Sequence, residues 1–107
     1  MTHRPLLTVV VMPCLNEADL MTASVASLGF AATNPPSDSH LILVDNGSTD
    51  GTLAIGEALR DGSSGLVDVV QEPRRGHVPA RHCGNVAAAA FAKHAGVLAN
   101  DVLIIQA

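Results

Sequence analysis

Four short runs of branched aliphatic residues, at 6–12, 41–44, 67–70 and 102–105, constrain the fold of this chain more than any other feature. Each run is continuous instead of alternating, which suits strands buried on both faces, the habit of a parallel sheet. The stretches between them carry helical spacing. Met21, Val25 and Leu28 fall at i, i+4 and i+7, on one helical face. Leu53, Ile55, Ala58 and Leu59 mark a shorter second helix. An alanine-rich third helix is predicted from about Ala80 to Ala99, with Val86, Ala90 and Val97 lining one side. The resulting order, β-α-β-α-β-α-β, predicts an α/β fold: an open, Rossmann-like parallel sheet of about four strands with right-handed crossovers.

At 107 residues the chain is about one domain. A hydrophobic content of 48 % against 15 % charged residues is that of a globular chain, not a disordered one. Six basic and ten acidic side chains leave a net charge of −4, the wrong sign for binding a nucleic-acid backbone. Two Phe with no Trp or Tyr offer no platform for stacking bases. Cys14 and Cys83 make no disulfide framework. Residues 1–15 imitate a signal peptide, with a basic start and an apolar run, but Asn16-Glu17 follows at once and no small-x-small site appears. No apolar run approaches the ~20 residues of a spanning helix. These features predict a soluble, reduced, cytoplasmic chain with no membrane span.

Turn-forming residues separate the elements at Asn34-Pro35-Pro36-Ser37-Asp38 and at Asp61-Gly62-Ser63-Ser64-Gly65. In open α/β sheets, ligands bind at the carboxyl ends of the strands. Two motifs stand there. Val44-Asp45-Asn46-Gly47-Ser48-Thr49-Asp50-Gly51-Thr52 ends the second strand and opens the second helix. Asp45 puts a carboxylate at the end of a buried strand, where accepting from a ligand N–H gives it a reason to exist. Asp50 is the expected helix N-cap. The other motif, Met12-Pro13-Cys14-Leu15-Asn16-Glu17, follows the first strand, where Pro13 is expected to halt the ladder because it has no N–H to donate. Asn16 and Glu17 either begin the next helix or face a ligand, and spacing admits both.

Together these residues resemble the N-terminal part of a family 2 glycosyltransferase, a GT-A fold that transfers sugar from a nucleotide-sugar donor. The pattern V-V-x-P-x-x-N-E appears as Val10 to Glu17, and V-D-[DN]-G-S-T-D-G-T as Val44 to Thr52. A looser third pattern, a Gly-containing loop and then A-R-N-x-G, appears at Arg75-Gly76 and Ala80-Arg81-His82-Cys83-Gly84, with His82 in the place of the usual Asn. The resemblance covers essentially the whole chain. It implies strand order 3-2-1-4 and a nucleotide-sugar-binding half-domain over residues 1–107. Pro13 and Leu15 would line the nucleotide base, with Glu17 at the mouth of that pocket. Asp45 and Asn46 would face the base and ribose edge. Many relatives have a second Asp where this chain has Asn46, so a UDP-, dTDP- or GDP-sugar all remain open. Arg75 and Arg81 would lie near the diphosphate, where cations suit phosphate oxygens.

The family's D-x-D motif, whose aspartates hold a divalent cation (Mg²⁺ or Mn²⁺), would follow the fourth strand, and the general base and acceptor site come later still. The sequence given stops at Ile105-Gln106-Ala107, so the resemblance implies the donor-binding portion of an enzyme that needs a partner chain or a further C-terminal portion for catalysis. Asp101 precedes the fourth strand and belongs at the opposite end of the sheet. A different class of reading is a non-catalytic Rossmann-like nucleotide-binding or interaction module. A dinucleotide oxidoreductase is disfavoured because Pro13 to Asp19 contains no glycine. His77, His82 and His94 match no zinc pattern, and Cys14 has no partnering base at a recognisable spacing, which makes it a buried, inert thiol.

Overall fold

The computed structural model describes residues 7–28, 39–97 and 101–106. The turn expected at Asn34–Asp38 lies outside them, as do Leu6 and Ala99. Seven elements alternate: β1 (Leu7–Cys14), α1 (Ala18–Ser27), β2 (Ser39–Asp45), α2 (Thr52–Asp61), β3 (Val67–Gln71), α3 (His77–His94) and β4 (Val102–Gln106). The sheet order is β3-β2-β1-β4 and every pairing is parallel, as expected. In β1–β2, Thr8 pairs with Ser39 and Cys14 with Asp45, so the two strands end level with each other. Among the described residues, no helix is long and apolar enough to cross a membrane.

Pro13 does not halt β1, which runs one residue further. The reason lies in the alternation of hydrogen-bonding sides along a strand. The Cys14 carbonyl accepts from Asn46 N–H at 2.9 Å on the β2 side, so Pro13 turns its missing donor towards β4. Among the described residues, the last pair on that side is Val11 opposite Gln106.

Helices cover both faces of the sheet. Met21 and Val25 of α1, with Ile55 and Leu59 of α2, pack on Leu41, Leu43 and Val67. Leu28, expected on the same face, is the α1 C-cap and is exposed. On the other face, α3 packs on Val9, Val11, Ile42 and Val44. His40 is buried in that layer, its ring stacked on Phe91 at 3.7 Å and its Nε2 2.9 Å from Asp68 Oδ2 on β3.

Helix α3 departs most from its expectation. It begins three residues early because Pro79 falls in the first turn, where a missing N–H costs nothing. It stops at His94 because Gly96, at φ +78°, adopts the left-handed conformation. There Val97 N–H bonds Ala92 O (3.0 Å) and Gly96 N–H bonds Lys93 O (3.1 Å), a Schellman closure. Val97 is therefore beyond the helix. The buried side is not the one through Val86, which is exposed, but Ala80, Gly84, Ala88 and Ala92. Close approach explains the choice: a Cβ on Gly84 would sit 2.1 Å from Val11 Cγ1. β4 also differs from a strand buried on both faces. Among the described strands it is an edge, and Leu103, Ile104 and Ile105 are exposed.

Candidate functional site

The loops after β1 and β2 are stitched together by side chains. Asn16, at φ +50°, takes the left-handed conformation that Asn tolerates better than most residues. Its Oδ1 accepts Thr49 N–H at 2.9 Å, and its own N–H donates to Ser48 Oγ at 3.0 Å. Glu17 N–H donates to Thr52 Oγ1 at 2.9 Å, and Thr52 is fully buried. Asn16 thus ties the two loops together and Glu17 occupies the α1 N-cap position.

Asp50 acts one residue earlier than expected, because Gly51 is the α2 N-cap and has no side chain. The Asp50 carboxylate reaches both helices: Oδ1 accepts Thr52 N–H (2.9 Å) and the Thr52 hydroxyl, and Oδ2 accepts Ala18 N–H (3.3 Å) at the start of α1. The bonds from Thr52 hold its carboxyl below the usual carboxylate value.

A cleft of about 150 Å³ opens beside these loops, lined by Pro13, Cys14, Leu15, Glu17, Asn46, Gly76 and His77. That is below the ~300 Å³ at which small-molecule sites begin, so it suits part of a ligand. Of the residues singled out in the sequence, the structure brings Pro13, Leu15, Glu17 and Asn46 into this lining. Asp45 lies at the carboxyl end of β2 in register with Cys14, buried and outside the lining, and its Oδ1 has no hydrogen-bond partner among the described residues. Arg75 and Arg81 are exposed and also outside it.

The far wall of the cleft comes from the loop between β3 and α3, which the sequence marked only as the Gly-containing part of a looser pattern and not as a wall of the site. Its anchor is Asn46, whose Nδ2 donates to Glu72 O (2.9 Å) and Arg74 O (2.6 Å) while Oδ1 accepts Gly76 N–H (3.3 Å). Glu72 is buried and its carboxylate pairs with Arg74 Nε. The signal available in the sequence was Gly76: at φ +112° and ψ +163° it occupies a region open essentially to glycine alone.

The surroundings of both thiols disfavour the thiolate. Burial above all, then the nearby Glu17 and Asp45 carboxylates, push Cys14 up to about 12. Cys83 is pushed up by burial and Glu72, and both cysteines are free. Of the histidines, His77 lines the cleft while His82 and His94 are exposed on α3. Among the described residues, no three His, Cys, Asp or Glu side chains group so as to hold a metal ion.

The family described as Glycosyl transferase family 2 matches residues 9–91. Uncharacterized glycosyltransferases of Mycobacterium tuberculosis and Mycobacterium bovis are 39 % identical over 79 residues, which is 74 % of this chain and 30 % of theirs. A mannosyltransferase of Pyrobaculum calidifontis, solved in complex with GDP-Man and Mn²⁺, superposes with a TM-score of 0.63 at 28 % identity, over 83 % of this chain and 25 % of that one. The chain therefore spans under a third of the length of these relatives.

Proposed function

Because the chain belongs to glycosyl transferase family 2, we propose that residues 1–107 form a half-domain that binds the nucleotide end of a nucleotide-sugar donor. The observation that carries this reading is Asp45: a buried carboxylate oxygen without a partner, at the carboxyl end of a central strand beside the cleft. Leaving such an acceptor unsatisfied costs about 1–3 kcal/mol, and more for a charged group. An imide or amide N–H on the edge of a nucleobase would satisfy it. Pro13, Leu15 and Glu17 then frame the base, and Arg75 and Arg81, flanking the Gly76–His77 wall, reach the diphosphate. The neighbour solved with GDP-Man supports a nucleotide-sugar donor as the ligand class, and UDP-, dTDP- and GDP-sugars all present a suitable N–H.

A divalent cation would supply charge neutralisation at the diphosphate as the sugar leaves. Among the described residues, no three metal-ligating side chains come together, and the charges assigned to the phosphate end are those of Arg75 and Arg81. By itself, the 107-residue chain is proposed to bind nucleotide weakly and to transfer no sugar. Isothermal titration with UDP, dTDP and GDP, with and without Mn²⁺, tests both parts. Weak binding that is lost in Asp45→Asn and is insensitive to Mn²⁺ is expected. Tight, strongly Mn²⁺-dependent binding would overturn the proposed incompleteness, and no binding of any nucleotide would overturn the donor reading.

A further inference from the structure

We infer that Asn46 is a positioning residue whose amide latches the 72–76 loop, so that Gly76 and His77 form the far wall of the cleft. This rests on the donor-binding reading, and it gives Asn46 a different task from facing the base. The hydrogen-bond inventory decides it. An amide nitrogen has two protons, and both are engaged, with Glu72 O and Arg74 O. The oxygen accepts Gly76 N–H, which leaves one lone pair. Two carbonyls demand a donor and one N–H demands an acceptor, so the amide has only one workable orientation. Asn46 is itself buried at the end of β2, and its backbone N–H is fixed on Cys14 O. One side chain thus ties the rigid centre of the sheet to a loop whose own chain direction depends on the glycine-only conformation at Gly76. Conformations of that kind persist where the surroundings over-determine them.

An aspartate at this position would have the same shape and no donor. It could still accept from Gly76, but its other oxygen would face two carbonyls. The loop should then open although nothing has changed size.

Trypsin reads this directly, because Arg74 and Arg75 lie in the latched loop while Arg60 and Lys93 lie in α2 and α3. In Asn46→Asp, cleavage after Arg74 and Arg75 should be about tenfold faster, with cleavage after Arg60 and Lys93 unchanged. Unchanged cleavage in the loop overturns the inference, and so does an equal rise at all four sites, which would report a general loss of structure. Hydrogen exchange on the unmodified chain provides a check that needs no variant. The amide of Gly76, although on an exposed residue, should exchange at least about tenfold more slowly than that of a free peptide; unprotected exchange overturns the latch. UDP, dTDP and GDP, added in turn, should include one that slows loop cleavage of the unmodified chain and not of Asn46→Asp. If none protects while the Gly76 amide is protected, the donor reading fails and the latch is reduced to a feature of the fold.

Discussion

The two faces of the sheet each carry a glycine inside a helix, and the two glycines do opposite things. On one face, a Cβ at Gly56 would meet Val69, Leu43 and Met21 at 3.4–3.7 Å, which is ordinary contact. On the other, a Cβ at Gly84 would drive into Val11 at 2.1 Å and meet Val44 at 3.2 Å. The first face is filled by large side chains that reach across a gap. The second is closed by bringing α3 down onto the strands, with alanines and a glycine as its contact residues. Large side chains make a face sensitive to truncation, whereas close approach makes it sensitive to enlargement.

Met21→Ala should show the largest effect, about 2–5 kcal/mol of lost stability in urea unfolding, since it empties a fully buried site. Gly84→Ala adds a single methyl and should cost about 1–3 kcal/mol through overpacking, despite the better helix propensity of alanine. If it is as harmless as the equivalent change at Gly56, α3 does not lie as close as described. The stitched loops belong to neither face and titrate. A carboxylate whose folded value is lowered adds stability above its unfolded value and loses it as pH falls through the folded one. Asp50 is such a group, held down from 3.8 by Thr52. Asp50→Asn should therefore be less stable at neutral pH, by a smaller margin than either core variant, and the difference should shrink from about pH 5 downwards. Gly56→Ala should be the mildest, neutral or stabilising by up to about 1 kcal/mol, and a clear loss there would mean the first face is also tightly closed.

This contrast also explains what could be read from the sequence. Continuous aliphatic runs marked all four strands, including β4, which is largely exposed, while the order of the strands followed from the family resemblance. The face of α3 could not be read that way. Periodicity assumes that large apolar residues point inwards, and here Val86 points out while Gly84 carries the contact. The cleft was half legible. Pro13, Leu15, Glu17 and Asn46 were named from the two motifs and the family resemblance they carry, whereas the place of Gly76 and His77 in the cleft needed the long-range bonds of Asn46. Asp50 and Asn16 looked like local helix-start residues, and each also bonds across more than thirty positions, to Ala18 N–H and Thr49 N–H.

The register of β1 has a consequence for the order in which the chain can fold. Leu7 pairs with Val102 on one side while Thr8 pairs with Ser39 on the other. The strand at the centre of the sheet is thus made first and completed last. At a synthesis rate of about 5–20 residues per second, one of its edges waits some 5–20 seconds for β4 to be made. During that interval, a nascent chain holds an open, aliphatic strand that only a partner or a chaperone can cover.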